Sequence, residues 1–212
     1  MTARDRALLV WIGRHGIVTA EQAADRFFAR PGGEVGRRAA FRRLAKLEAH
    51  GYLARQATSL MSARRVIRLT PAGVRAADLH LAPAKVVEPE LHHSLALVDL
   101  MERLSHEHPG ARCRTERELR TDRTRERGMG TRRAGRGRMP DGELLLAGES
   151  VAIELDLTPK RSKDYEQIIR SYGQERFDRV WWYVPTGSVD RLRRLVEDGR
   201  ADDFVDVRPW VG

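Results

Sequence analysis

Leu47-Glu48-Ala49-His50-Gly51-Tyr52-Leu53, followed after a short insert by Leu69-Thr70-Pro71-Ala72-Gly73, marks a helix end, a strand start and a second helix start within one small region. In the first stretch Gly51 stops a helix that runs from about Glu34 to His50, because glycine readily takes the left-handed conformation that closes a helix. Tyr52 and Leu53 then open a strand. In the second stretch the Thr70 hydroxyl suits a helix cap and Pro71 suits the first helical turn. Between them, Gly51–Ala57 and Arg65–Leu69 read as two short strands around Thr58–Arg64, a hairpin.

Upstream, Ala7, Leu8, Trp11 and Ile12 recur at helical spacing within residues 3–14, and Gly13 and Gly16 bracket the end of that helix. Thr19-Ala-Glu-Gln22 is a capping-box pattern that starts a second helix through Phe27 or Phe28. Pro31, Gly32 and Gly33 break the chain before the third helix. At ~100° per residue, Ala40, Leu44 and Leu47 share one face of that third helix, with Phe41 at its edge. Arg38, Arg42 and Lys46 form an i, i+4, i+8 ridge on the opposite side, beside Arg37 and Arg43. An apolar face for the core and a cationic face opposite it is what a helix lying in a DNA major groove requires.

The charge distribution supports the same partner. The 212 residues include 39 Lys or Arg and 30 Asp or Glu, a formal charge of +9. Only four cations are lysines (Lys46, Lys85, Lys160 and Lys163). A GC-rich genome accounts for arginine over lysine, but the cation excess calls for a polyanion. Residues 1–80 carry 15 cations and 6 anions and residues 111–139 carry 11 and 4, whereas residues 140–212 carry 11 and 15. The apolar run Ala7–Ile12 is too short for a signal-peptide core or a membrane span, so a cytoplasmic protein with no membrane partner is expected. The single cysteine, Cys113, excludes an internal disulfide and a cysteine-built zinc site.

The order helix, helix, basic helix, basic hairpin, helix resembles the winged helix-turn-helix domains of MarR-type bacterial regulators, on the strength of Leu47–Leu53 and Leu69–Gly73. The resemblance implies that the third helix reads the major groove and that Arg64, Arg65 and Arg68 of the hairpin touch phosphate or minor groove. It covers residues 3–80. Leu81-Ala-Pro-Ala-Lys-Val-Val-Glu-Pro-Glu90 has little helix signal and reads as a linker.

Residues 91–212 read as a second domain. A helix over 91–107 carries Leu91, Leu95, Val98 and Leu104 at helical intervals. Its His92-His93 pair and His106 and His108 are read as packing or capping groups, since adjacent helical side chains diverge by ~100°. Arg112–Leu119 is expected to be a strand, and 120–138 a mobile loop whose Arg132, Arg133, Arg136 and Arg138 close over a phosphate backbone. Met139–Leu146 and Val151–Thr158 form a hairpin. A helix over 160–176, an apolar strand over 179–184, a helix over 188–198 and a strand over 204–207 complete a mixed α/β layer.

Asp141 starts one hairpin strand, and Glu154 and Asp156, two apart, share a face of the next. Clustered carboxylates are what a hard cation such as Mg²⁺ or Mn²⁺ requires. The pattern resembles the PD-(D/E)xK nuclease superfamily, which implies metal ligation by Asp141, Glu154 and Asp156. Asp156, however, stands at the lysine position of that motif, so activity would need Lys160 or Lys163 to reach in from the following helix.

The pairing of the two domains is similar to the replication-relaxation family of bacterial plasmids and integrative elements, on His93, Glu116 in Glu116-Arg-Glu-Leu, Pro140-Asp141, Ile153–Asp156 and Tyr172. The fold expected is therefore α+β in two domains: a winged helix-turn-helix over 1–80, a linker over 81–90, and a restriction-endonuclease-like mixed sheet over 91–212. The function expected is double-stranded DNA binding in plasmid replication, DNA relaxation or transfer, with replication or transfer proteins and a second copy of the chain as further partners. The alternative is a metal-dependent DNA nuclease on Asp141, Glu154, Asp156 and Lys160.

Overall fold

The computed structural model describes residues 1–29, 36–128, 138–172 and 177–211. The chain divides into two compact units, Met1–Asp99 and Leu100–Gly212.

In the first unit α1 (Ala3–His15), α2 (Ala20–Phe28) and α3 (Arg37–Ala49) precede β1 (Leu53–Ala57), β2 (Arg65–Leu69) and α4 (Pro71–Ala76). Reciprocal capping boxes start α1 (Thr2 with Asp5) and α2 (Thr19 with Gln22). Gly13 does not bracket the end of α1. It lies inside the helix, where an added Cβ would stand 2.2 Å from Leu79 Cδ1 and 2.8 Å from Leu69 Cδ1. The helix stops at Gly16 with φ 86°. β1 and β2 pair antiparallel from Leu53 opposite Leu69 to Ala57 opposite Arg65. Val18 adds an antiparallel bridge to Ile67, with N–H···O distances of 3.0 and 2.8 Å. The core includes Leu8, Leu9, Trp11, Ile12, Leu44, Leu47, Leu53, Ile67 and Leu69. Leu8, Trp11 and Ile12 lie on the expected face of α1, whereas Ala7, expected beside them, is exposed and Leu9 is buried in its place.

The two stretches that decide the fold meet in space. The Thr70 hydroxyl donates to Gly51 O and accepts from Gly73 N at 3.0 Å, and Thr70 N donates to Tyr52 O at 3.1 Å. A Cβ on Gly73 would lie 2.0 Å from Tyr52 O. Glycine is thus required by the close approach of the Tyr52 backbone, and Gly51 sits at φ 75°.

The expected linker over 81–90 is not a free connection. Ala84 packs with Ile17, Ala63, Val66, Leu91 and Leu95, and Glu88 in a short 3-10 turn (Glu88–Glu90) accepts from Ser59 N at 3.2 Å and Ser59 Oγ at 2.8 Å. The division between units falls after Asp99, inside α5 (Leu91–Glu107), rather than at residues 81–90. Gln22 Nε2 donates to Leu95 O and Asp99 Oδ1, each at 2.9 Å, which ties the first turns of α5 to the first unit.

The second unit holds β3 (Arg112–Thr115), α6 (Glu116–Gly128), β4 (Gly142–Leu146), β5 (Glu149–Leu155), α7 (Ser162–Tyr172), β6 (Arg179–Pro185), α8 (Val189–Asp198) and β7 (Val205–Trp210). Its five strands run in the order β3-β4-β5-β6-β7, antiparallel from β3 to β5 and parallel from β5 to β7. Ala147 (φ 51°) and Gly148 (φ 92°) turn the β4–β5 hairpin, as a two-residue turn with two left-handed positions does. Tyr165, Ile168, Ile169 and Tyr172 of α7 and Leu192 and Val196 of α8 pack on Ala152, Trp182, Val184 and Val207. Within this unit Arg103 of α5 lies over the rings of Tyr183 and Trp210.

One expected element is replaced. Residues 116–119 do not continue a strand and 120–128 are not loop: Glu116–Gly128 is helical. Thr115 starts it, with Thr115 N donating to Glu118 Oε2 at 2.9 Å and Glu118 N to Thr115 Oγ1 at 3.4 Å. Among the described residues no helix is long and apolar enough to cross a membrane.

Candidate nucleic-acid interface and the buried carboxylates

The α3 helix presents the two faces its sequence encodes. Ala40, Leu44 and Leu47 are buried, while Arg37, Arg38, Arg42 and Lys46 are exposed. Arg37 reaches Asp25 at 4.0 Å. Arg38, Arg42 and Lys46 form no ion pair with any described residue, and their charge faces solvent.

Arg43 departs from the expected set. Its guanidinium forks onto both carboxylate oxygens of Asp5, which is 1% exposed. That hydrogen-bonded cation holds the Asp5 carboxyl well below the usual carboxylate range, against the opposing effect of burial. Arg43 thus pins α3 to the start of α1. On the hairpin, Arg64 and Arg65 are exposed and Arg68 is half-buried. Arg64 and Arg65 line a groove of about 560 Å³ together with Phe41 of α3 and Arg55 of β1. The α3 helix and the hairpin therefore border one concave surface. Arg55 is paired with Glu48 at 3.2 Å. Arg132, Arg133 and Arg136 lie outside the described residues.

Arg138 does not stand free for phosphate. Its Nε and a terminal nitrogen donate to Glu154 Oε1 at 3.0 Å and Oε2 at 3.1 Å. Glu154, 1% exposed, also accepts from the Tyr172 hydroxyl on α7. Burial and the nearby Asp141 charge push the Glu154 carboxyl up, and Arg138 opposes them. Burial and Glu154 together push the Tyr172 phenol well above its ordinary value, which keeps it a neutral donor.

Asp156 is compensated in the same way. Its Oδ1 accepts from Lys160 and its Oδ2 from Trp182 Nε1 at 3.0 Å. Lys160 thus does reach in from the segment before α7, but onto Asp156. Its ammonium is pushed down, chiefly by burial. Asp141, placed by the β4–β5 register beside Glu154, accepts from Leu155 N at 2.9 Å through Oδ2.

A divalent cation needs carboxylate oxygens turned towards one point. Among the described residues no three His, Cys, Asp or Glu side chains gather in that way. Both oxygens of Glu154 and both of Asp156 already face cations or donors of the chain itself. The arrangement does not fit a metal centre without displacement of Arg138 and Lys160. Of the histidines of α5 and its end, His106 hydrogen-bonds Glu102 O through Nδ1 at 2.8 Å, His108 lies 5.4 Å from the Trp181 ring, and His92 is exposed.

Tyr172 is one of the residues behind the family resemblance, but its role as a Glu154 donor is not visible in the sequence. Trp182 carries a weak signal, because a tryptophan in a buried strand needs an acceptor for its N–H. For Arg138 the neighbouring arginine-rich segment suggests phosphate, whereas its partner is a carboxylate of the sheet.

A family model described as replication-relaxation matches residues 9–180, well over half of the chain. No curated protein matches the chain.

Proposed function

Because the chain belongs to the replication-relaxation family, we propose that it is a double-stranded DNA-binding protein of a mobile genetic element, serving plasmid replication, DNA relaxation or transfer. In this reading the first unit is a winged helix-turn-helix: α3 enters the major groove and the β1–β2 hairpin is the wing. The observation that carries it is the row Arg38, Arg42, Lys46, exposed on α3 and neutralised by no described residue, opposite the buried Ala40, Leu44 and Leu47. Several other cations of this chain have a carboxylate nearby, such as Arg55 with Glu48 and Arg120 with Glu116. A row that no described carboxylate meets suits an external polyanion. Arg64 and Arg65 extend the same charge along the hairpin edge of the groove.

Titrating a duplex pool with the wild-type chain and with the Arg42→Ala/Lys46→Ala variant tests the placement. The variant is expected to bind at least ~30-fold more weakly, since a base contact from a long cation is worth about 1–3 kcal/mol and two such cations are removed. Equal affinity contradicts it.

The nuclease reading, with Asp141, Glu154 and Asp156 as ligands of Mg²⁺ or Mn²⁺ and Lys160 beside them, has no comparable support. In the chain on its own Glu154 faces Arg138 and Tyr172, and Asp156 faces Lys160 and Trp182, so a bound cation would have to compete with Arg138 and Lys160 for these oxygens.

A further inference from the structure

Phe41 is one of the few large apolar side chains open to solvent, 39% exposed in α3. It belongs to a second ridge, Phe41, Ala45 and Ala49, all exposed and each one position before Arg42, Lys46 and His50. The side of α3 that carries the cationic row therefore also carries an apolar stripe. Nothing in the core requires it: Ala40, Leu44 and Leu47 already fill the inward face. Phe41 lines the groove whose other walls include Glu21, Arg55, Ala63, Arg64, Arg65 and Ile67, with three arginines against the one acid. An exposed aromatic ring beside Arg38, Arg42 and Lys46, which no described residue neutralises, has the composition of a surface that reads a polyanion carrying apolar groups. In a DNA major groove the apolar group available is the C5 methyl of thymine, which protrudes beside the base edges.

Resting on the DNA-binding reading above, we propose that Phe41, supported by Ala45, determines sequence specificity by packing against thymine methyl groups while Arg38, Arg42 and Lys46 hold the flanking phosphates or guanines. The DNA it prefers thus carries thymine within the steps spanned by α3. Burying one methyl group against the ring changes affinity by about fourfold.

The experiment is a selection from random duplexes with the full wild-type chain, followed by replacement of each thymine of the enriched site, one at a time, by deoxyuridine, which lacks only the methyl. One or two replacements are expected to weaken wild-type binding about fourfold and to leave Phe41→Ala unaffected, with phosphate-driven binding to unselected duplex unchanged in both. Phe41→Leu, which keeps an apolar side chain of similar reach, is expected to retain part of the methyl dependence and guards against loss of fold in the alanine variant. A replacement series that weakens nothing, or that weakens wild type and Phe41→Ala equally, overturns the inference. Salt-dependent binding without any enriched sequence overturns it too, while leaving DNA binding intact. Failure of the chain to bind duplex at all overturns both readings.

Discussion

Asp5 and Arg43 show how much a single pair governs the position of a helix. The carboxylate is buried at the first turn of α1, where it also completes the cap with Thr2, and the guanidinium comes from α3, 38 residues away. Because the Arg43 hydrogen bond lowers the Asp5 carboxyl below its ordinary value, the folded state holds that proton more weakly than the unfolded chain does. The stabilisation is therefore complete above the unfolded value of about 3.9 and is lost as pH falls towards the lower folded value. Arg43→Ala is expected to lower the urea midpoint of the first unit at pH 7, and the gap to wild type should narrow below about pH 4. A gap that is constant with pH argues against the pair. In the second unit Tyr172→Phe removes a buried donor to Glu154 and should cost about 1–3 kcal/mol, read as a fall in the thermal or urea midpoint. Helical periodicity separates Arg38, Arg42 and Lys46 from the core face, but it carries no information on Asp5. A partner that close in space and that distant in sequence has no local signature, and the same limit hides Tyr172 and Trp182 as donors to Glu154 and Asp156.

At the level of elements, legibility follows the strength of local chemistry. The Thr19–Gln22 box, the Gly51 stop and the Thr70-Pro71 start are each enforced by backbone groups within a few residues, and each stands where the sequence places it. The α6 helix escapes the sequence reading although Thr115-Glu-Arg-Glu118 is itself a capping-box pattern. The alternating polar and apolar residues before it suggest a longer strand, and the charge density after it suggests a loop. Arginines and acids spaced i, i+4, as in Arg120 with Glu116, give such a segment local support as a helix, and Leu119 is buried beneath it. The junction of the two deciding stretches is the most demanding element contact. Gly73→Ala would drive a Cβ into the Tyr52 carbonyl, and neither backbone can retreat, since Thr70 N and its hydroxyl both bond there. A destabilisation of about 3 kcal/mol or more is expected, measurable as the absence of a cooperative transition for the first unit. Wild-type stability in this variant would show that the junction is loose.

Across the molecule the net charge of +9 resolves into unequal parts. Met1–Asp99 carries 16 cations against 9 anions, and Leu100–Gly212 carries 23 against 21. Most of the excess thus resides in the unit that bears the α3 row and the hairpin arginines. The second unit is nearly balanced and turns buried charges on itself, in the pairs Arg138–Glu154 and Lys160–Asp156. Sequence alone locates the cationic blocks and the carboxylates, but it does not show that Arg138 and Lys160 pair with Glu154 and Asp156. The expected linker is displaced for a related reason: residues 81–90 lack helix signal, yet Ala84 and Leu91 are buried with the first unit.

Engagement of the duplex backbone by the α3 row is read most directly from duplex affinity across a salt series, for wild type and for Arg38→Ala/Arg42→Ala/Lys46→Ala. The wild-type log affinity should fall linearly with log salt. The triple variant should bind more weakly, with a slope shallower by about 0.9 for each phosphate it no longer neutralises. Superimposable lines for the two proteins would contradict a DNA-facing α3.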